Sequence, residues 1–189
     1  MSTLIANTLQ GINTIKYDAS TTAMTVDSSG NATFSGIVKK PNNPAFSAFL
    51  TAITSTNASN IFRPTRVDLN IGSMYNSSNG RATAPVAGTY YFHFQGLINS
   101  NERDNVDMRF YINGNQIQSG SVYEPDWGSS YRKVMMSTIL SLSANDYVTV
   151  QIQANGGGGA SDYSFYGDNN AFQSASGAGH SGFQGFLVG

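Results

Sequence analysis

The sequence predicts an all-β domain of the antiparallel sandwich type, and three observations carry the prediction. Apolar–polar alternation recurs along the chain, as in Tyr90, Phe92 and Phe94, then Met108, Phe110 and Ile112, then Val148, Val150 and Ile152. Turn signals separate these runs: Ala84-Pro85-Val86-Ala87-Gly88, Asn113-Gly114 and Ser143-Ala144-Asn145-Asp146. No stretch of useful length shows apolar residues at helical spacing. Many short strands joined by hairpin signals specify a sandwich rather than a helical or mixed fold.

Residues 1–42 differ from the rest. Ile12, Ile15 and Tyr17 are spaced apolar positions in a polar background. Ala23 to Val26 read as a strand, Ser28-Ser29-Gly30-Asn31 as a turn and Ala32 to Val38 as a second strand. Met24 and Val26 then pair near Phe34 and Ile37. An isolated two-stranded hairpin is marginal in water, so this segment needs copies of itself or another surface to bury against. Lys39-Lys40-Pro41-Asn42-Asn43-Pro44 is a polar, proline-flanked break. The boundary makes 1–42 an attachment or stalk segment and 43–189 a head.

In the head, strands are expected at 45–53, 66–71, 80–84, 88–98, 105–112, 116–122, 133–142, 146–153 and 181–188. Before the strand at 88, proline presets φ and Gly88 is expected to supply a positive φ. In that strand Tyr90, Phe92 and Phe94 face a core, while Tyr91, His93 and Gln95 face away. Asn113-Gly114 is a type I′ hairpin signal. Residues 154–180 are glycine-rich and longer than a plain loop, with Tyr163, Phe165 and Tyr166 in one short strand.

Only 11% of the residues are charged, the net charge is −1, and no basic patch stands out, which argues against nucleic acid as a partner. With no cysteine, stability must come from burial and oligomerisation. The first residues, Met1 to Asn7, lack the form of a secretory signal, and no apolar run approaches the ~20 residues of a membrane helix, so membrane insertion is not expected. The N-x-Ser/Thr triplets at Asn31, Asn57 and Asn76 read as chance in an Asn-rich chain.

Catalytic patterns are absent from the sequence. His93 and His180 have no nucleophile pattern or metal-pair spacing around them. The close carboxylate pairs, Glu124 with Asp126 and Asp104 with Asp107, lie in Asn/Gly/Pro-rich stretches, where such residues cap backbone amides. Sugar hydrolysis also needs two carboxyls ~5–10 Å apart across a cleft, which adjacency in sequence does not supply. No catalytic residue, cofactor or metal ligand is therefore assigned. The candidate recognition segment is Tyr123 to Arg132, with Tyr123, the single tryptophan Trp127, and Tyr131; Tyr163 and Tyr166 form a second. Flat aromatics beside hydrogen-bonding groups suit sugar faces and protein hot spots. The competing reading is that Trp127 covers one end of the sandwich or packs on a neighbouring subunit.

The stretch Asn70 to Phe94 places Asn70, Tyr75, Gly88, Tyr90, Phe92 and Phe94 at spacings that resemble the signature of the globular heads named after complement C1q, jelly-roll relatives of tumour necrosis factor. Ala82 stands where that family has Phe, and Pro64 where it has another, with Phe62 two residues away. Phe183 to Gly189, FQGFLVG, is similar to the family's closing strand, and Phe186 is counted with the core. The resemblance covers Pro44 to Gly189 and implies a jelly-roll that assembles as a homotrimer. It leaves room for calcium on loop carboxylates such as Asp162 and Asp168, although no EF-hand spacing supports an ion. The wording AMTVDSSGNATFSG resembles repeats of phage tail fibres and virion stalks. Together these imply a non-enzymatic structural protein of a bacteriophage virion, assembled in the bacterial cytoplasm. In that reading 1–42 meets other virion proteins and the head meets a host-surface glycan or protein, or stabilises capsid or tail. The alternatives are a secreted lectin-like carbohydrate-binding module, which an export signal would favour, and a polysaccharide-degrading tailspike, which needs a longer domain with a carboxylate-lined cleft.

Overall fold

The computed structural model describes residues 14–16, 22–35, 42–52, 54–56, 61–100, 106–124, 130–154, 163–167 and 180–189. Among the described residues are fifteen strands and no helix. The chain divides into two units, Met1–Pro41 and Asn42–Gly189.

The first unit is a three-stranded antiparallel sheet of β1 (Thr14–Lys16), β2 (Thr22–Val26) and β3 (Ala32–Phe34) in sequence order. The β2–β3 turn is set by Asp27, whose Oδ1 accepts from the amides of Ser29 and Asn31, each at 2.9 Å, and by Gly30 at φ 83°. Met24 lies opposite Ile15 on one side and Phe34 on the other, so an apolar row crosses the sheet. Val26 pairs with Ala32; Ile37 lies outside the described residues. Strand β1 was not expected: Thr-Ile-Lys carries too little alternation to announce itself.

The second unit is a two-sheet sandwich. The smaller sheet runs β11 (Asn115–Glu124), β10 (Val106–Ile112), β13 (Tyr147–Ala154), β8 (Arg81–Thr83), β7 (Tyr75–Asn76). The larger is built on β9 (Gly88–Ser100). On one side β9 pairs with β12 (Ser130–Leu142) along its full length. On the other, β15 (Gly182–Leu187) pairs with its first half and β14 (Tyr163–Phe165) with its end. Beyond β15 lie β4 (Ala45–Phe49) and the edge strand β6 (Arg66–Ile71), and beyond β14 lies β5 (Thr54–Thr56). The chain passes from one sheet to the other between β6 and β7, β8 and β9, β9 and β10, β11 and β12, β12 and β13, and β13 and β14. That order is a jelly-roll.

Both sheets turn aromatic rings inward. Tyr90, Phe92, Phe94, Phe110, Phe165 and Phe183 are all fully buried. Phe183 meets Phe46 edge-on at 4.8 Å, and Phe62 meets Phe94 edge-on at 5.1 Å, the preferred geometry for paired aromatic quadrupoles. Asn113 and Gly114 have φ of 52° and 82°, as a type I′ turn requires.

Several expectations need correction. Phe186 is not a core residue: it is 46% exposed. Inward positions of β15 are Phe183 and Gly185, and period-two alternation sends Phe186 to the other face. Gly185 must lack a side chain because a Cβ there would approach Phe92 and Phe46 ring carbons at 2.7 and 2.8 Å. Gly88 does not take a positive φ; a Cβ there would meet Leu187 Cδ1 at 2.6 Å, so close approach rather than backbone handedness selects glycine. Asp107 is no turn cap. It lies in β10, is buried, and forms a bidentate ion pair with Arg109. Strands β5 and β7 also went unforeseen.

Candidate functional site

The residues of the family-like signature hold the frame rather than form a pocket. Asn70 Nδ2 donates to the Tyr75 carbonyl and its Oδ1 accepts from the Tyr75 amide, both at 2.9 Å, which closes the turn between β6 and β7. The Tyr75 hydroxyl donates to the Pro64 carbonyl at 3.0 Å, and its ring stacks on Phe46 at 5.1 Å. Burial pushes the Tyr75 pKa above the usual phenol range. The Tyr90 hydroxyl donates to the Val86 carbonyl at 2.8 Å and ties down the 84–88 turn. Phe62 is buried against Phe94 and Phe165, and Ala82 is fully buried opposite Tyr75.

A surface feature emerges only when the larger sheet is assembled. Its outer face carries a row of cross-strand neighbours: Ile139 on β12 faces Tyr91 on β9, Tyr91 faces Phe186 on β15, Phe186 faces Ala45 on β4, and Ala45 faces Ile71 on β6. Ile139 is 66% exposed, yet Tyr91 and Phe186 already contact each other at 5.4 Å. Met135 on β12 and Leu69 on β6 extend the apolar surface on either side, at 55% and 43% exposure. Soluble subunits rarely leave so continuous an apolar strip open to water, so this face is the candidate interaction site. Sequence alternation places each residue outward but does not show that five strands align them; the sheet order supplies that.

The middle of the same face is polar. His93 lies opposite Ser137 on β12 and Gln184 on β15. Partial burial, and then the charge of Lys133, hold the His93 pKa below the usual imidazole value. At the β6 edge Arg66 pairs with Asp68 at 3.0 Å and lies over the Phe49 ring at 5.1 Å from its centroid.

The tyrosines singled out for recognition gather at one end of the sandwich. Tyr131 is in register with Asn99, and Tyr163 with Ser100, so both flank the end of β9. Tyr123 is in register with Asp107, near the start of β10 at the same end. Tyr166 is partly buried, and its amide donates to the Leu97 carbonyl at 2.9 Å. Trp127, Asp104, Asp126, Asp162 and Asp168 lie outside the described residues. Among the described residues no group of acidic or histidine side chains could hold a metal ion, and no helix is long and apolar enough to cross a membrane.

Comparison with known proteins agrees with the sheet order. No curated protein matches the chain at a significant level. Among solved structures, the globular domain of zebrafish complement 1qA protein superposes with a TM-score of 0.59 at 18% identity, over 78% of this chain and 98% of that one. The structure of the tumour necrosis factor Eiger from S. frugiperda gives 0.56 at 8% identity, over 77% and 94%. The C1q domain model matches residues 45–188. With its jelly-roll order and that match over most of its length, the chain belongs to the C1q domain family.

Proposed function

We propose that this chain is a structural protein of a bacteriophage virion, a homotrimeric fibre or decoration protein and not an enzyme. Its head would meet a host surface or brace capsid or tail, and residues 1–42 would join it to other virion proteins. The apolar row Ile139–Tyr91–Phe186–Ala45–Ile71 carries the assembly part of this reading. Three copies turned about one axis cover three such faces in a closed ring and leave no face unmatched. The exposed row of the first unit, with Ile15 and Phe34 at its ends, supports the idea that this unit is covered in its working state. A cysteine-free, weakly charged chain that must be durable outside a cell gains that durability from association.

Two measurements test the reading. Light scattering at micromolar concentration should return three times the 20.1 kDa chain mass, and Ile139→Glu should return one. Antibody against the head should label intact phage particles from the source culture. A monomeric wild type would remove the assembly part, and unlabelled particles would remove the virion part.

A further inference from the structure

We infer that His93 makes assembly through the outer face of the larger sheet sensitive to pH, so that subunits associate at neutral pH and separate in mild acid. The inference rests on that face being the subunit contact, as proposed above. His93 occupies its polar centre. On its own strand the outward neighbours are Tyr91 and Gln95; across β12 the face presents Lys133, Met135, Ser137 and Ile139, and across β15 it presents Gln184 and Phe186. Farther out, β4 presents Ser47 and Ala45, and β6 presents Leu69 and the Arg66–Asp68 pair. Among the described residues, Lys133 is the charged group that acts on the imidazole, and the carboxylate of Asp68, on the edge strand, is engaged by Arg66.

The sign follows from this arrangement. Partial burial and Lys133 already disfavour imidazolium in the single subunit. Covering the face removes more water, and among the described residues of this face the carboxylate, Asp68, is already engaged by Arg66. The assembled state therefore binds fewer protons than separated subunits over the histidine range. Association is complete above the imidazole pKa of the free subunit and is lost as pH falls through it. With one His93 per copy, a trimer can lose up to about a thousand-fold in its three-body association constant per pH unit in that window. Neighbouring apolar contacts are indifferent to pH, which leaves the imidazole as the element that titrates.

The test uses the full chain. Sedimentation velocity across a dilution series at pH 8 and pH 5 should show wild type dissociating in acid, while His93→Gln shows equal association at both. In parallel, the chain's two histidines can be followed by NMR, and the His93 midpoint should lie lower in the wild-type trimer than in an Ile139→Asn monomer, which adds no charge beside the imidazole. The NMR comparison stands even if His93→Gln folds poorly. A wild-type association constant unchanged between the two pH values overturns the inference, as does an equal pH response in His93→Gln or equal NMR midpoints. In those cases the trimer reading survives. A wild type already monomeric at pH 8 overturns both.

Discussion

Phe183 and Phe186 are three residues apart on one strand, and replacing each by alanine should have opposite consequences. Phe183 is fully buried, with ring neighbours Phe46 at 4.8 Å, Phe92 at 6.0 Å, Phe110 at 6.1 Å and Tyr75 at 6.2 Å. Those neighbours come from both sheets, so the hole left by Phe183→Ala cannot be closed by moving one of them. The cost should be about 3–5 kcal/mol, a large part of the ~5–15 kcal/mol that holds a domain together. For a chain of this size that is a fall of roughly 6–20 °C in melting temperature. Phe186 is already 46% exposed in the single subunit. Its truncation removes half the burial worth of a phenylalanine, about 1 kcal/mol, from folding. Its larger effect should be on association, because Phe186 sits in the centre of the apolar row. Urea unfolding of both variants, paired with sedimentation at matched concentrations, separates the two effects. Equal small losses from both variants, or a greater folding loss from Phe186→Ala, would refute the strand parity on which the core and the outer face are assigned.

Three further outcomes follow from local geometry. Gly185→Ala should destabilise the head by about 1–3 kcal/mol in urea unfolding, despite alanine's lower chain entropy, because the new Cβ drives into the Phe92 and Phe46 rings. Asn70→Ala removes both hydrogen bonds to the Tyr75 backbone and should cost about 1–3 kcal/mol, whereas Asn70→Asp, which keeps the acceptor but loses the donor, should cost part of that; calorimetry ranks them. Asp146 accepts from Asn113 Nδ2 at 2.7 Å and from the Ser143 amide at 2.8 Å, which hold its carboxyl below the ordinary value of 3.8. The stability this lends is present above that value and lost as pH falls below it, so Asp146→Asn should flatten the acid limb of a thermal-melt profile.

Strands that face a core on one side were legible in the sequence because burial imposes alternation, as in β9, β10 and β13. Strands β5 and β7 were not, since Thr54–Thr56 and Tyr75–Asn76 are too short to alternate and are fixed by backbone pairing. Phe186 was misread because Gly185 occupies an inward position that an apolar residue would normally mark. Asp107 was misread because an acid in an Asn-rich stretch looks like a cap, and only the fold reveals its ion pair with Arg109. The candidate site was the least legible part. Ile139, Tyr91, Phe186, Ala45 and Ile71 are scattered over five strands, and no short-range pattern announces that register brings them into one row.

The position of β15 bears on how the head can be made. This strand comes last in chain order, yet it lies between β4 and β9, which precede it by tens of residues. Until it is synthesised, those two strands have no partner between them, and each presents an open edge with an aromatic face. The head therefore cannot complete its larger sheet progressively during translation; β4 and β9 must wait, exposed, for a strand that arrives at the end. Folding should be slow and dominated by long-range closure, and the waiting chain is the species at risk of aggregation. A nonsense mutation within the head and before Gly182 should yield insoluble material rather than a slightly shorter head.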